Sequence, residues 1–428
     1  MKRQFVSHPG MLTLLMPLVL TACTQQKFST SPEKPVAGTE IRVEYSPSDS
    51  LAKSYESVSM EYSLYSSAST GYEHIEDTRS VEMEKEGKSW AANVSTTSIT
   101  EIAVVKFLPG NAPSDNNNGE GYFIRIYNDS GEETIESQFG YAVSYVTWAT
   151  LNKYVNREYK KAVELLTGLF ARYPDMKVRY VKDYLGALRG STPDSLKKEV
   201  LAKELGEVLS YEGLTDSDYR YIIWLCKNQE LNDLASDAEK NALQKFPDGT
   251  VAYGKKNEAL AAEPDILKKM EMARKIEKKL PENYEVPPTG MVFYYMVQQG
   301  RFDLIPGWWK TMDTGFTYSP TLYGWLALQL INEKKELGTA LEICERGEKA
   351  WKNEIVNPVM ARNTFVTEER EAEVNARDYS YLLVTWATAL KLSGRSTEAV
   401  RKYEEAFSTY PVAKFQASDI NEYAELIA

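Results

Sequence analysis

The sequence predicts an α+β chain in two parts, an antiparallel β-sandwich over residues 39–140 followed by a stack of helical hairpins over residues 141–428. Three observations carry this. Between residues 39 and 140 apolar side chains recur with a period of two, in short runs separated by turn formers. After about residue 141 the period becomes that of a helix. The helical part also repeats itself: Val146-Thr147-Trp148-Ala149-Thr150 returns as Val384-Thr385-Trp386-Ala387-Thr388.

The chain opens with Lys2 and Arg3 and an apolar run from Met11 to Ala22, too short for a comfortable bilayer span and ordered as an export signal. The run closes in Leu20-Thr21-Ala22-Cys23, which resembles the lipobox of bacterial lipoproteins. That resemblance implies cleavage before Cys23, a diacylglycerol on its thiol, and a further acyl chain such as palmitate on the freed amine. Thr24, standing where Asp would otherwise follow the cysteine, implies by the same likeness the outer membrane of a Gram-negative envelope. Residues 23–38 are rich in Ser, Thr, Gln, Pro and Lys and read as a flexible tether.

Composition narrows the function. The chain has 428 residues and a net charge of −11; losing residues 1–22 removes Lys2 and Arg3 and leaves 406 residues at −13. That length suffices for two domains with real cores. An acidic surface disfavours nucleic acid and anionic lipid, which need clustered cations. His8 leaves with the signal, so His74 is the one imidazole of the mature chain, and Cys226 and Cys344 are its thiols beside Cys23. With no Cys-x-x-Cys there is no dithiol redox motif, and a zinc site would have to be built from carboxylates. Triad catalysis would run through His74 alone. No cofactor, no metal and no enzymatic activity are expected. Cys226 and Cys344 sit on apolar helix faces and read as buried free thiols.

In the β part, strands are expected around Ile41-Val43-Tyr45, Val58-Met60-Tyr62, Val81-Met83, Trp90–Val94, Ile102–Phe107 and Tyr122-Ile124-Ile126. Turns lie between them, as at Glu86-Gly87-Lys88 and Asn128-Asp129-Ser130-Gly131. The order is similar to immunoglobulin-like modules related to some carbohydrate-binding domains. Asp115-Asn116-Asn117-Asn118-Gly119-Glu120 has the look of a calcium loop, but its glycine is one place early and Ile126 stands where the bidentate Glu belongs. A solvated hairpin loop is the better reading. Trp90 is a candidate sugar-stacking platform, although tryptophan at a strand start is more often core.

In the helical part, Ala162, Leu166, Leu169 and Tyr173 share one helix face. Ala162, Ala235 and Ala399 each stand twelve residues before a proline (Pro174, Pro247, Pro411), which Tyr173, Phe246 and Tyr410 precede. Leu280-Pro281 marks a more degenerate unit. The unit ending at Pro411 resembles a tetratricopeptide repeat, with small residues at Ala387, Gly394, Ala399 and Ala406 and large ones at Trp386, Leu390 and Tyr403. The first unit departs from that pattern at Arg157 and Leu169, where a glycine and a small residue are expected. The resemblance implies a solenoid, because one hairpin cannot bury such faces alone.

Residues 291–325 are unusually aromatic. Within them Trp308 and Trp309 are candidate ligand-binding residues, since neighbours on a helix point about 100° apart and one of the two is expected at the surface. The remaining aromatics of this stretch read as core. The acidic run Glu368-Glu369-Arg370-Glu371 reads as a solvated helix face.

Lipobox, sandwich and tetratricopeptide-like helices in this order resemble the front part of thioredoxin-family lipoproteins. The sequence stops at Ala428 without the Cys-x-x-Cys domain that commonly follows, so reductase activity is not implied. The expected function is a membrane-anchored scaffold in the cell envelope that binds protein or peptide. The alternatives are a glycan-binding lipoprotein using Trp90 or the Trp308 region, or the non-catalytic part of a thioredoxin-family protein.

One test follows directly. Each buried methylene holds a lipid chain by about 0.8 kcal/mol, so two or three chains on one residue make release negligible. Cys23→Ser is expected to move the protein from the membrane to the soluble fraction and to lower its intact mass by the acyl groups. A variant that stays in the membrane fraction at unchanged mass would refute the anchor.

Overall fold

The computed structural model describes residues 28–47, 55–69, 74–110, 112–146, 153–280, 288–312, 320–356, 364 and 366–428. The alternating segments form two four-stranded antiparallel sheets. One holds β1 (Phe28–Ser31), β2 (Glu40–Tyr45), β6 (Ser89–Ser95) and β5 (Glu84–Glu86), in that order; the other holds β4 (Ile75–Glu82), β3 (Val58–Tyr65), β7 (Ile102–Pro109) and β8 (Tyr122–Arg125). β4 and β5 are one run that changes sheets at Met83, whose N–H donates to the Val58 carbonyl (2.8 Å). Ile41, Val43 and Tyr45 face Met60, Tyr62, Ala103 and Val105 across the sandwich interior.

Two boundaries differ from expectation. β1 lies inside the stretch read as a tether; Phe28–Ser31 pairs with Tyr45–Arg42 as an edge strand. The first helix, α1 (Ile135–Ser144), starts before residue 141, capped by the Thr134 hydroxyl on the Ser137 N–H (3.1 Å).

α1 lies on the outer face of the β4-β3-β7-β8 sheet. Gly140 permits the approach, since a Cβ there would stand 2.9 Å from the Ile102 side chain. β7 is therefore buried on both faces: Ala103, Val105 and Phe107 enter the sandwich core, and Ile102 and Val104 enter a second core with Phe139, Tyr154, Leu166 and Tyr180. This explains a near-continuous apolar strand in an antiparallel sheet. Its exception, Lys106, is held by Glu61 (3.0 Å) and lies 5.0 Å from the Tyr154 ring centre.

Fourteen further helices follow among the described residues. They are α2 (Tyr159–Arg172), α3 (Val181–Ser191), α4 (Asp194–Val208), α5 (Asp216–Asn228), α6 (Asn232–Lys245), α7 (Thr250–Ala262) and α8 (Ile266–Glu277). Then come α9 (Pro288–Gln298), α10 (Ile305–Thr311), α11 (Pro320–Glu333), α12 (Leu337–Val356), α13 (Glu368–Leu392), α14 (Ser396–Thr409) and α15 (Ala417–Ile427). Odd- and even-numbered helices pair as hairpins from α1–α2 to α13–α14, and α15 packs on α14. Consecutive first helices (α5 with α7, α9 with α11, α11 with α13) touch more extensively than the matching second helices. At these positions the first helices form the more closely packed, inner layer of the stack. The N-terminal copy of the repeat, Thr147-Trp148-Ala149-Thr150, lies outside the described residues, as does Pro281.

The two parts are also joined by polar contacts. Glu101, at the foot of β7, is buried and accepts from the Ser67 N–H (3.0 Å) and hydroxyl (2.5 Å), Arg179 (2.9 Å) and the Tyr180 hydroxyl (3.1 Å). Burial pushes its carboxyl up to about 7 despite these donors. The folded protein therefore keeps the Glu101 proton at pH values where the unfolded chain has lost it. Its stabilising contribution is complete below the ordinary carboxyl range near 4.5 and is lost as pH rises through about 7. Thermal melts from pH 5 to 8 should show the wild-type Tm falling relative to Glu101→Gln across that window. Parallel curves for the two proteins would refute the assignment.

Candidate functional site

The structure places the three candidate tryptophans in cores, which corrects the expectation that they offer a stacking platform. Trp90, on β6, is 4% exposed, opposite Tyr45 across the strand pair, with the Lys85 ammonium 5.1 Å from its ring centre. Trp308 is 2% exposed; its indole N–H donates to the Thr289 carbonyl (3.1 Å), and Arg274 lies 5.0 Å from its ring. Trp309 is 4% exposed, edge-on to Tyr323 at 6.1 Å and beneath Arg346 at 4.6 Å. The pair does diverge around α10, but the helix packs on both α9 and α12, and its exposed side is that of Gly307, Lys310 and Thr311. Both directions therefore lead into the same core.

The calcium-like loop is likewise committed to structure. The Asp115 carboxylate accepts the Tyr45 hydroxyl (2.7 Å), the Tyr122 hydroxyl (3.1 Å) and the Asn117 N–H (2.9 Å). Among the described residues, no group of three His, Cys, Asp or Glu side chains is placed to hold a metal ion. Cys226 and Cys344 are free and buried, and burial pushes their thiols up to about 11 and about 12. Such thiols stay protonated and are poor nucleophiles.

The aromatic side chains that do reach solvent lie on first helices. On α5, Trp224 is 45% exposed, with Tyr221 at 5.6 Å and the α3 residue Arg189 over its ring at 4.9 Å. The core face of α5 is set by Tyr219, Ile222, Ile223 and Cys226. Trp224 is two residues from both Ile222 and Cys226, about 200° around the helix, and so points outward. The sequence reading of Cys226 as buried is what fixes the core face and places Trp224 opposite it. A second patch joins α9 and α11. Trp325 is 37% exposed, its ring is 5.5 Å from that of Tyr294, and Leu328 stands exposed one turn further along. Both aromatics fall in the stretch expected to be core.

On the second-helix side, a cleft of about 470 Å³ lies between α12 and α14, floored by Trp386 and Leu390 of α13. Lys402 stands 4.1 Å from the Trp386 ring and pairs with Glu348 (3.0 Å) and Glu405 (2.9 Å). The Tyr379 hydroxyl donates to the same two carboxylates (3.2 and 3.0 Å). These groups neutralise one another and fix α12 to α14 through α13.

Cys23 lies outside the described residues. No helix among the described residues is long and apolar enough to cross a membrane. No protein-family model and no curated protein matches this chain.

Two tryptophan truncations separate core from surface. Trp308→Ala removes a buried ring and is expected to cost about 3–5 kcal/mol. Trp224→Ala removes an exposed one and should stay within about 0.5 kcal/mol of wild type. Denaturant midpoints of the two variants check this, and equal midpoints would contradict the burial assignments.

Proposed function

We propose that this chain is a cell-envelope lipoprotein, anchored through lipid on Cys23, whose first-helix layer docks a protein or peptide. The observation that carries the reading is the exposure of Trp224, Trp325 and Leu328 on the inner layer, with the half-buried Tyr294 ring beside Trp325, in an array that buries most of its large aromatics. Exposed Trp and Tyr flanked by Arg are the residue types that dominate binding energy at protein interfaces. A stack of hairpins supplies the extended surface on which such residues act together. The placement of Thr24 after Cys23 favours the outer membrane. The glycan alternative loses its proposed platforms with the burial of Trp90, Trp308 and Trp309.

The test is affinity capture from envelope extract with wild-type protein and with a Trp325→Ala/Leu328→Ala double variant. A hot-spot loss of about 2 kcal/mol corresponds to a roughly thirtyfold weaker complex, enough to empty the captured band. Partners recovered equally by both proteins would remove the inner layer from the docking role.

A further inference from the structure

Around Trp224 the inner layer carries a charge pattern opposite to that of the whole chain. Arg220 stands one turn before Trp224 on the same face of α5, and Lys227 about one turn after it. Arg189 reaches the Trp224 ring from α3, and Lys255 belongs to α7. The carboxylates of α3 and α5 are buried or bonded within the fold. Asp183 is buried. Asp216 accepts the Thr250 N–H and hydroxyl (both 2.6 Å). Asp218 is buried and closes the capping box with Thr215. The one carboxylate joining Lys227 to Lys255 is Glu239, shared at 2.9 Å each, and Glu258 adds a second partner to Lys255 at 3.3 Å. Among the described residues, no carboxylate lies within 4 Å of Arg189 or Arg220 in an ion pair.

Stacking on an indole uses the flat face of a guanidinium and leaves its in-plane N–H fork available, which is the geometry that takes a carboxylate with two parallel hydrogen bonds. In a protein of net charge −11, two arginines left without acid partners beside a half-exposed tryptophan form a cationic, aromatic band. From this geometry we infer that the α3–α5–α7 face docks an acidic segment of a partner protein, with carboxylates on Arg189 and Arg220 and an apolar or aromatic side chain against Trp224. The inference rests on the docking reading above and names the chemistry of the partner. A carboxylate-bearing peptide meets both halves of the patch, the fork donors and the exposed ring. A sulfated or phosphorylated polymer meets only the charge.

The experiment uses the full chain and a fluorescein-labelled peptide of four Asp-Glu-Phe repeats, with a Lys-for-acid counterpart and dextran sulfate as comparisons. Anisotropy should show binding of the acidic peptide alone. Its dissociation constant should rise at least tenfold in Trp224→Ala and in Arg189→Gln/Arg220→Gln, and it should weaken as salt is raised. Circular dichroism of each variant checks that it is folded; the single variant Arg220→Gln, at an exposed position, keeps the test decisive if the double variant is not. Absence of binding, equal binding of the lysine peptide, indifference to these substitutions, or binding of dextran sulfate in place of the peptide would each overturn the inference. Trp325→Ala/Leu328→Ala separates the two claims. If that variant loses its envelope partner while the acidic peptide never binds, docking stands and the acidic partner falls. If the acidic peptide binds as expected while envelope capture is unchanged, the α3–α5–α7 assignment stands and the α9–α11 patch drops out.

Discussion

Strand β7 belongs to two cores at once, and the arrangement of the whole chain depends on that. A strand whose alternate side chains are all apolar must be covered on both faces, and only one of those faces can meet the other sheet. The second face takes α1, and α1 can lie close because residue 140 has no side chain to collide with Ile102. Once α1 is placed, Phe139 stacks on Tyr180 at 4.5 Å with nearly parallel rings, which brings in the start of α3. Each later hairpin then covers an apolar face left open by the one before it. A solenoid needs something at its ends to cover the first and last of these faces. Here the sandwich covers the first, and α15, which packs on α14, has no fully buried residue. The Thr364 hydroxyl also donates to the Ile75 carbonyl at the start of the edge strand β4 (2.7 Å).

The sequence showed those parts of the fold whose burial is periodic. Period-two runs marked β2, β3 and β8, apolar runs between turns marked β6 and β7, and the alanine-to-proline spacing marked α2, α6 and α14. The signals failed where burial comes from a partner distant in sequence. Phe28–Ser31 is mostly Ser and Thr, which reads as a tether, and only pairing with β2 makes it a strand. Val81 and Met83 looked like one strand because a change of sheet leaves the alternation intact; the switch is visible only in the hydrogen bonds on either side of Met83.

The aromatic residues show the same limit from the other side. A tryptophan is large enough to be core or contact surface, and composition does not separate the two. Trp308 and Trp309 diverge around α10, as adjacent helical residues must, and both are buried because the covered arc of the helix is wide, leaving only the side of Gly307, Lys310 and Thr311 to solvent. Trp224 shares a run with Ile222, Ile223 and Cys226, yet it is exposed because those three define the opposite face of α5. Its exposure could have been read from the helical wheel once the core face was known. Trp325 could not, because α11 is apolar nearly all round and its two faces become distinct only when α9 and α13 pack on it.

The distance between the two exposed patches sets what a partner must look like. α5 and α9 are two hairpins apart in the inner layer, and α5 and α11 are three. Packed helices stand about 8–10 Å apart, so Trp224 and Trp325 are roughly 24–30 Å from each other along the inner layer. An extended segment advances about 3.3 Å per residue, so roughly seven to nine residues are needed to reach from one to the other. A shorter segment touches one patch and gains only that patch's energy. A longer one gains both, with the second contact formed at the high effective concentration set by the first. Discrimination on such a surface comes from the spacing of the aromatic contacts and the charge around the first of them, and both were set when the hairpins stacked.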